Sequence, residues 1–170
     1  IRPSLGHFQK QSPIASRHAI EQVIEVARKI YPIAPEVPPI LNDHLFNDMP
    51  REFTHTWRTV DEKARREKDL LEPPIQFLQW DNRTEVLGEV PAALLRGARD
   101  GYIGIAMNVD GDHVDLYICK KILNLLDGRH VICMTDSLQT NRLGEHVLSR
   151  SEQNTLWYQQ NGVVAAGSQD

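Results

Sequence analysis

Apolar residues recur at helical spacing from Ile20 through Val23, Ile24 and Ala27 to Ile30. They form one stripe on one face of a helix. Ser12-Pro13 marks its start, with Ser as N-cap and Pro at the first helical position. Pro32 and Pro35 prevent its continuation. Val37-Pro38-Pro39-Ile40-Leu41 is short, apolar and bounded by Pro, which predicts a short or irregular strand. Arg51 to Asn82 has no clean period, and its Trp57, Phe77 and Trp80 predict a packed excursion. Inside it, Asp61 to Asp69 (DEKARREKD) mixes charge signs and reads as a solvated face of a helix or loop. A phosphate contact from Arg65 or Arg66 is the functional alternative there.

Regularity returns at Gly88. Pro91 to Ala98 predicts a helix stopped at Gly101. Tyr102 to Val109 (YIGIAMNV) is the near-continuous apolar run of a strand buried on both faces of a parallel sheet. Val114 to Leu126 predicts a helix stopped at Gly128, and Val131-Ile132-Cys133-Met134 a second buried strand. Strand, helix and strand joined by short loops are βα units, so the fold class is α/β. After Asp136 the pattern changes. Thr155-Leu156-Trp157-Tyr158 and Val163-Val164-Ala165-Ala166 flank Asn161-Gly162, which predicts a hairpin with Asn-Gly at its turn.

The chain has 170 residues, enough for one domain with a real core. Its net charge of −4 and lack of a basic stretch speak against nucleic acid as a partner. No run approaches the roughly 20 apolar residues of a membrane span, and no signal peptide opens the chain. Cys119 and Cys133 do not form a CxxC pair and sit in apolar elements, which predicts two buried free thiols in a reducing, cytoplasmic setting. The chain begins Ile1-Arg2-Pro3 and ends Gly167-Ser168-Gln169-Asp170, and a candidate site residue appears as early as His7. The expectation is a piece of a longer protein.

Candidate chemistry follows the strand-like runs. His7 follows Leu5-Gly6, and Gly6 would let backbone approach a ligand closely. His44 opens His44-Leu45-Phe46-Asn47-Asp48-Met49-Pro50. Asp110-Gly111-Asp112-His113 follows the strand at 102–109, and Asp136 ends VICMTD. Each has a plainer reading: His7 as a surface residue, His44 as a satisfied core histidine, His113 as a helix N-cap, Asp136 as a turn cap. His18, His55, His130 and His146 have weaker contexts and are left structural. Taken in order, four βα units place polar residues at their strand ends, where a βα barrel carries its active site. Imidazoles and carboxylates there suit a divalent ion and a proton carrier.

These segments resemble the N-acetylglucosamine-6-phosphate deacetylases of the amidohydrolase superfamily. HLFNDMP resembles that family's HLFNAMP, LGH its preceding GH, DGDHV its DGxHV, MTDS its VTDA and NGVVAAGS its NGxxAGS. The resemblance implies the second half of a (β/α)8 TIM-type barrel, strands five to eight, over residues 1–150. Residues 151–170 would form a β hairpin that starts a small flanking β element. It implies a metal-dependent hydrolase that removes an acyl group from an amino sugar. His7 and His44 would be metal ligands, His113 a substrate or oxyanion contact, and Asp136 the general acid/base. Asn47 and the Asp48 backbone would lie near the sugar or phosphate, and Arg58 competes with Arg66 as the family's substrate-binding arginine. The cofactor would be a divalent ion, zinc first, with iron or another divalent ion as alternatives. The partner would be a small amino-sugar substrate, and a homo-oligomer is compatible with the family.

The sequence departs from that pattern in three places. Asp48 stands where the family has a small Ala, and a carboxylate there repels phosphate. The spacing from His7 to His44 is longer and carries the Pro-rich piece, and the family's arginine after HLFNAMP has no secure match, since Arg58 and Arg66 compete for it. The family's Glu ligand would precede this chain. Asp48 therefore keeps a second enzyme in view, an amidohydrolase acting on a non-phosphorylated or cyclic amide. The alternative from another class is a non-catalytic binding or scaffold protein with a decayed site.

Overall fold

In a computed structural model the described residues are 2–6, 8, 11–47, 49, 51, 53–55, 60–71, 75–111, 113–134, 147–150, 155–158 and 164–166. β1 (Ser4–Leu5), β2 (Ile40–Asn42), β3 (Ile103–Asn108) and β4 (Val131–Met134) form one parallel sheet in the order β1-β2-β3-β4. α1 (Pro13–Ile30) joins β1 to β2. α2 (Val60–Leu71), a 3-10 turn at Ile75–Phe77, α3 (Arg83–Leu87) and α4 (Glu89–Arg99) lie between β2 and β3. α5 (Leu116–Leu125) joins β3 to β4. The α/β class read from the sequence is the class observed.

α1 begins at Pro13 as predicted, although the Ser12 hydroxyl makes no cap hydrogen bond. Its Ile20, Ile24 and Ala27 are buried against α4, and α4 packs on β3. Gly97 is the point of closest approach. A Cβ there would lie 2.6 Å from Ile103 Cδ1 and 2.8 Å from Ile24 Cδ1. Above this apolar seam the two helices are joined by Arg17 to Glu89 at 3.0 Å and Arg28 to Asp100 at 2.7 Å. Glu21 pairs with Arg96. The Arg96 hydrogen bond holds the Glu21 carboxyl below its usual range, against a smaller opposing effect of burial.

Because Ile103 meets α4, its same-face neighbours Ile105 and Met107 also point to the helix side, and all three are fully buried. The opposite face carries Leu41, Ala106, Ile132 and Met134 by register. These are apolar yet only partly buried, and Ile132 is 50% exposed. β4 corrects the sequence reading on this point. It is not a fully buried strand, because among the described residues it pairs only with β3, and Ile132 and Cys133 are both exposed. Of the two thiols expected to be buried, only Cys119 is.

The charged run from Asp61 to Asp69 is helical and lies within α2, with its described side chains mostly exposed. α5 starts at Leu116, two residues later than the apolar pattern suggests, because Asp115 is its N-cap. A second sheet contains β5 (Val147–Arg150), β6 (Thr155–Tyr158) and β7 (Val164–Ala166), all antiparallel. β6 and β7 pair as the expected hairpin, with Tyr158 opposite Val164. The Asn161-Gly162 turn lies outside the described residues.

Candidate functional site

In a parallel sheet the chain leaves every strand at the same end. Here that end carries the loops after β2 and β3, and Leu5 of β1 is level with Asn42 of β2. In sequence, His7 comes two residues after Leu5 and His44 two residues after Asn42. His7, Asp48, Arg58 and Asp136 themselves lie outside the described residues.

The loop after β2 is held by its apolar side chains. Leu45, Phe46, Met49 and Phe53 are each 1% exposed, and Phe46 meets Phe53 edge-to-face at 5.1 Å between centroids. Leu45 N donates to the Ala106 carbonyl at 2.8 Å, and Asn47 N to the His44 carbonyl at 2.9 Å. The tight fit puts His44 at φ +33° and Phe46 at φ +73°. These are strained values for such residues, and packing of the loop must over-determine them. Asn47 is exposed in the same turn. His44 is largely enclosed, with its Nδ1 2.8 Å from Asp43 Oδ1.

Gly6 faces the Asp43 side chain. A Cβ at this position would lie 3.0 Å from Asp43 Cβ and 3.3 Å from Asp43 Oδ2. The missing side chain makes room for Asp43. Asp43 is also tied through its backbone: its N–H donates to the Leu5 carbonyl at 2.8 Å, and its carbonyl accepts from Asn42 Nδ2 at 2.7 Å.

The loop after β3 places the second histidine. Asp110 Oδ1 accepts from His113 N at 2.9 Å, and Asp110 Oδ2 meets His113 Nδ1 at 2.6 Å. Gly111 sits between them at φ +87°, a conformation that glycine adopts without steric cost. His113 is thus not the N-cap of α5. That place belongs to Asp115, whose Oδ1 accepts from Tyr117 N and Ile118 N. Asp115 Oδ2 meets His55 Nε2 at 2.8 Å. Burial pushes the Asp115 carboxyl up, but the His55 and backbone hydrogen bonds outweigh it and hold the group below its ordinary value.

Sequence reasoning missed five residues at this end of the sheet. Asp43 and the paired His55 and Asp115 are three. Asn42 and Asn108, 1% and 4% exposed at the ends of β2 and β3, are the others. Each asparagine keeps a buried Oδ1 with no hydrogen-bond partner. The available signal was a polar residue ending each apolar run.

His44 suits a divalent ion as a single ligand. Asp43 lies beside Nδ1 at 2.8 Å as a charge contact, and Nδ1 makes no hydrogen bond with it. Among the described residues no group of three or more His, Cys, Asp or Glu is placed to hold an ion, and none of the described helices is long and apolar enough to cross a membrane. No family model matches the chain, and neither a curated protein nor a solved structure matches it.

Proposed function

We propose that this chain is a sector of a (β/α)8 barrel, strands five to eight, from a metal-dependent amidohydrolase that deacylates an N-acylated amino sugar. The observation that carries the reading is the register of the parallel sheet. It sets Leu5, two residues before His7 in sequence, level with Asn42, two residues before His44, at the end from which the Asp110–His113 loop also emerges. Consecutive parallel order supports the barrel, since crossovers of one hand then lay the helices on one side. The half-open apolar face made by Leu41, Ala106, Ile132 and Met134 is also the kind a barrel interior fills.

In this reading His7 and His44 hold a divalent ion, zinc by preference for imidazole. When bound, the ion supplies Lewis acidity toward the amide carbonyl and lowers the pKa of water. Asp136 removes the proton from the attacking water and delivers it to the departing amine nitrogen as the C–N bond breaks. His113, Asn47 and Arg58 contact the sugar and its substituents. Asp48 favours a sugar without phosphate at the adjoining position, because its carboxylate repels a second anion.

The test measures acetate release by the full-length protein from N-acetylglucosamine and from its 6-phosphate, before and after chelation and with zinc restored. Zinc-dependent release from either substrate is the expected result, with the unphosphorylated sugar preferred. A protein that holds stoichiometric zinc and releases no acetate from either, or whose activity survives chelation, overturns the proposal.

A further inference from the structure

The DGDH segment is a closed hydrogen-bonded module. Asp110 uses both carboxylate oxygens on one residue, Oδ1 on the His113 backbone N–H and Oδ2 on the imidazole Nδ1. The left-handed Gly111 turns the chain back so that both contacts form within four residues. Asp110 is only 18% exposed at its side chain and His113 26%, so the pair is shielded but the imidazole reaches solvent. An ionised carboxylate only accepts hydrogen bonds, so the neutral ring facing it must carry its proton on Nδ1. Nε2 is then left as an acceptor, and it has no hydrogen-bond partner among the described residues.

We infer that Asp110 is a positioning residue that presets the His113 tautomer, so that Nε2 accepts a hydrogen bond from a substrate hydroxyl or amide N–H. This rests on the deacylase reading for the substrate, but the tautomer itself does not depend on it. The module recognises a donor on an amino sugar, such as a ring hydroxyl or the acylated nitrogen. It acts in binding and not in proton transfer, which is assigned to Asp136. Its orientation is set before any ligand arrives, because the Asp110 carboxylate that holds the ring belongs to the same loop.

Asp110→Asn separates this role from a structural one. Its side-chain oxygen still accepts from His113 N, so the turn is retained. Its amide N–H2 now faces Nδ1, where it must donate, and the ring proton moves to Nε2. Two measurements follow. In ¹⁵N-resolved NMR of the protein without substrate, neutral His113 is expected to be the Nδ1–H tautomer in wild type and Nε2–H in Asp110→Asn. In steady-state hydrolysis of N-acetylglucosamine, KM is expected to rise about 10-fold with kcat within about 2-fold, the scale of one hydrogen bond to a neutral group. Asp110→Glu, which restores an acceptor, is expected to recover the Nδ1–H tautomer. An unchanged tautomer in Asp110→Asn overturns the inference. So does a switched tautomer with unchanged KM. Wild-type protein with the Nδ1–H tautomer and no hydrolysis overturns the substrate half of the inference together with the deacylase reading, and leaves the tautomer assignment supported.

Discussion

His55 Nε2 lies 2.8 Å from Asp115 Oδ2, and the Phe53 carbonyl accepts from Asp115 N at 2.8 Å. One residue thus caps α5 and clasps the loop after β2 to the loop before that helix. Asp115→Ala removes the cap and the His55 contact together. It is expected to destabilise the fold by about 1–2 kcal/mol, read from urea unfolding. Because the folded carboxyl titrates below its unfolded value of about 4, its contribution is full above that pH. It is lost as the pH falls through the lower, folded value. The gap between wild type and Asp115→Ala should therefore close in acid.

Gly97 stands in the middle of α4, where Ala ought to be better by about 1 kcal/mol on helix propensity alone. The contacts at 2.6 and 2.8 Å oppose this. Ile103 and Ile24 are 0% and 3% exposed and have little room to withdraw. Overpacking of a core costs about 1–3 kcal/mol, so Gly97→Ala is expected to destabilise by about 1 kcal/mol net. Thermal and urea unfolding of the variant measure the sign, and a more stable variant would show that the seam yields.

The two cysteines should separate cleanly. Burial, with the charges of Asp115 and Asp110 behind it, pushes the Cys119 thiol up to about 12. The group is also enclosed, with its Sγ directed to the Asn108 carbonyl at 3.4 Å. Cys133 is exposed. Iodoacetamide at neutral pH is expected to modify Cys133 alone in the native protein and both residues in denaturant, since the thiolate is the reactive form. Peptide mass mapping identifies which thiol reacts.

Asp136→Asn tests the proton-transfer assignment. In the full-length protein it is expected to lower kcat by roughly 10²-fold or more, the scale of a general acid/base group, with metal content near wild type. Activity and metal analysis on the same preparation decide it. Near-normal kcat would make Asp136 a structural cap.

Local order was legible in the sequence because its causes are local. Ser12-Pro13 and the Ile20–Ala27 stripe placed α1, and the apolar run at 102–109 placed β3, since backbone propensity and side-chain period act over a few residues. α2 was read only as far as a solvated helix or loop face, because the DEKARREKD run holds too few apolar residues to set a period. What sits beside what was decided by tertiary structure. Asp43 and His44 are chain neighbours whose side chains diverge in an extended strand. The left-handed backbone at His44, imposed by burial of Leu45 and Phe46, sets the imidazole against the carboxylate. Gly6 gives clearance to Asp43, a residue 37 positions away that parallel pairing of β1 and β2 brings alongside. β4 had the composition of a buried strand, but exposure depends on which strands lie beside it, and that information is not contained in the four residues Val131–Met134. Sequence determined the elements and the residue types at their ends. Only long-range packing decided which of those residues meet, because the contacts span segments that no local pattern couples.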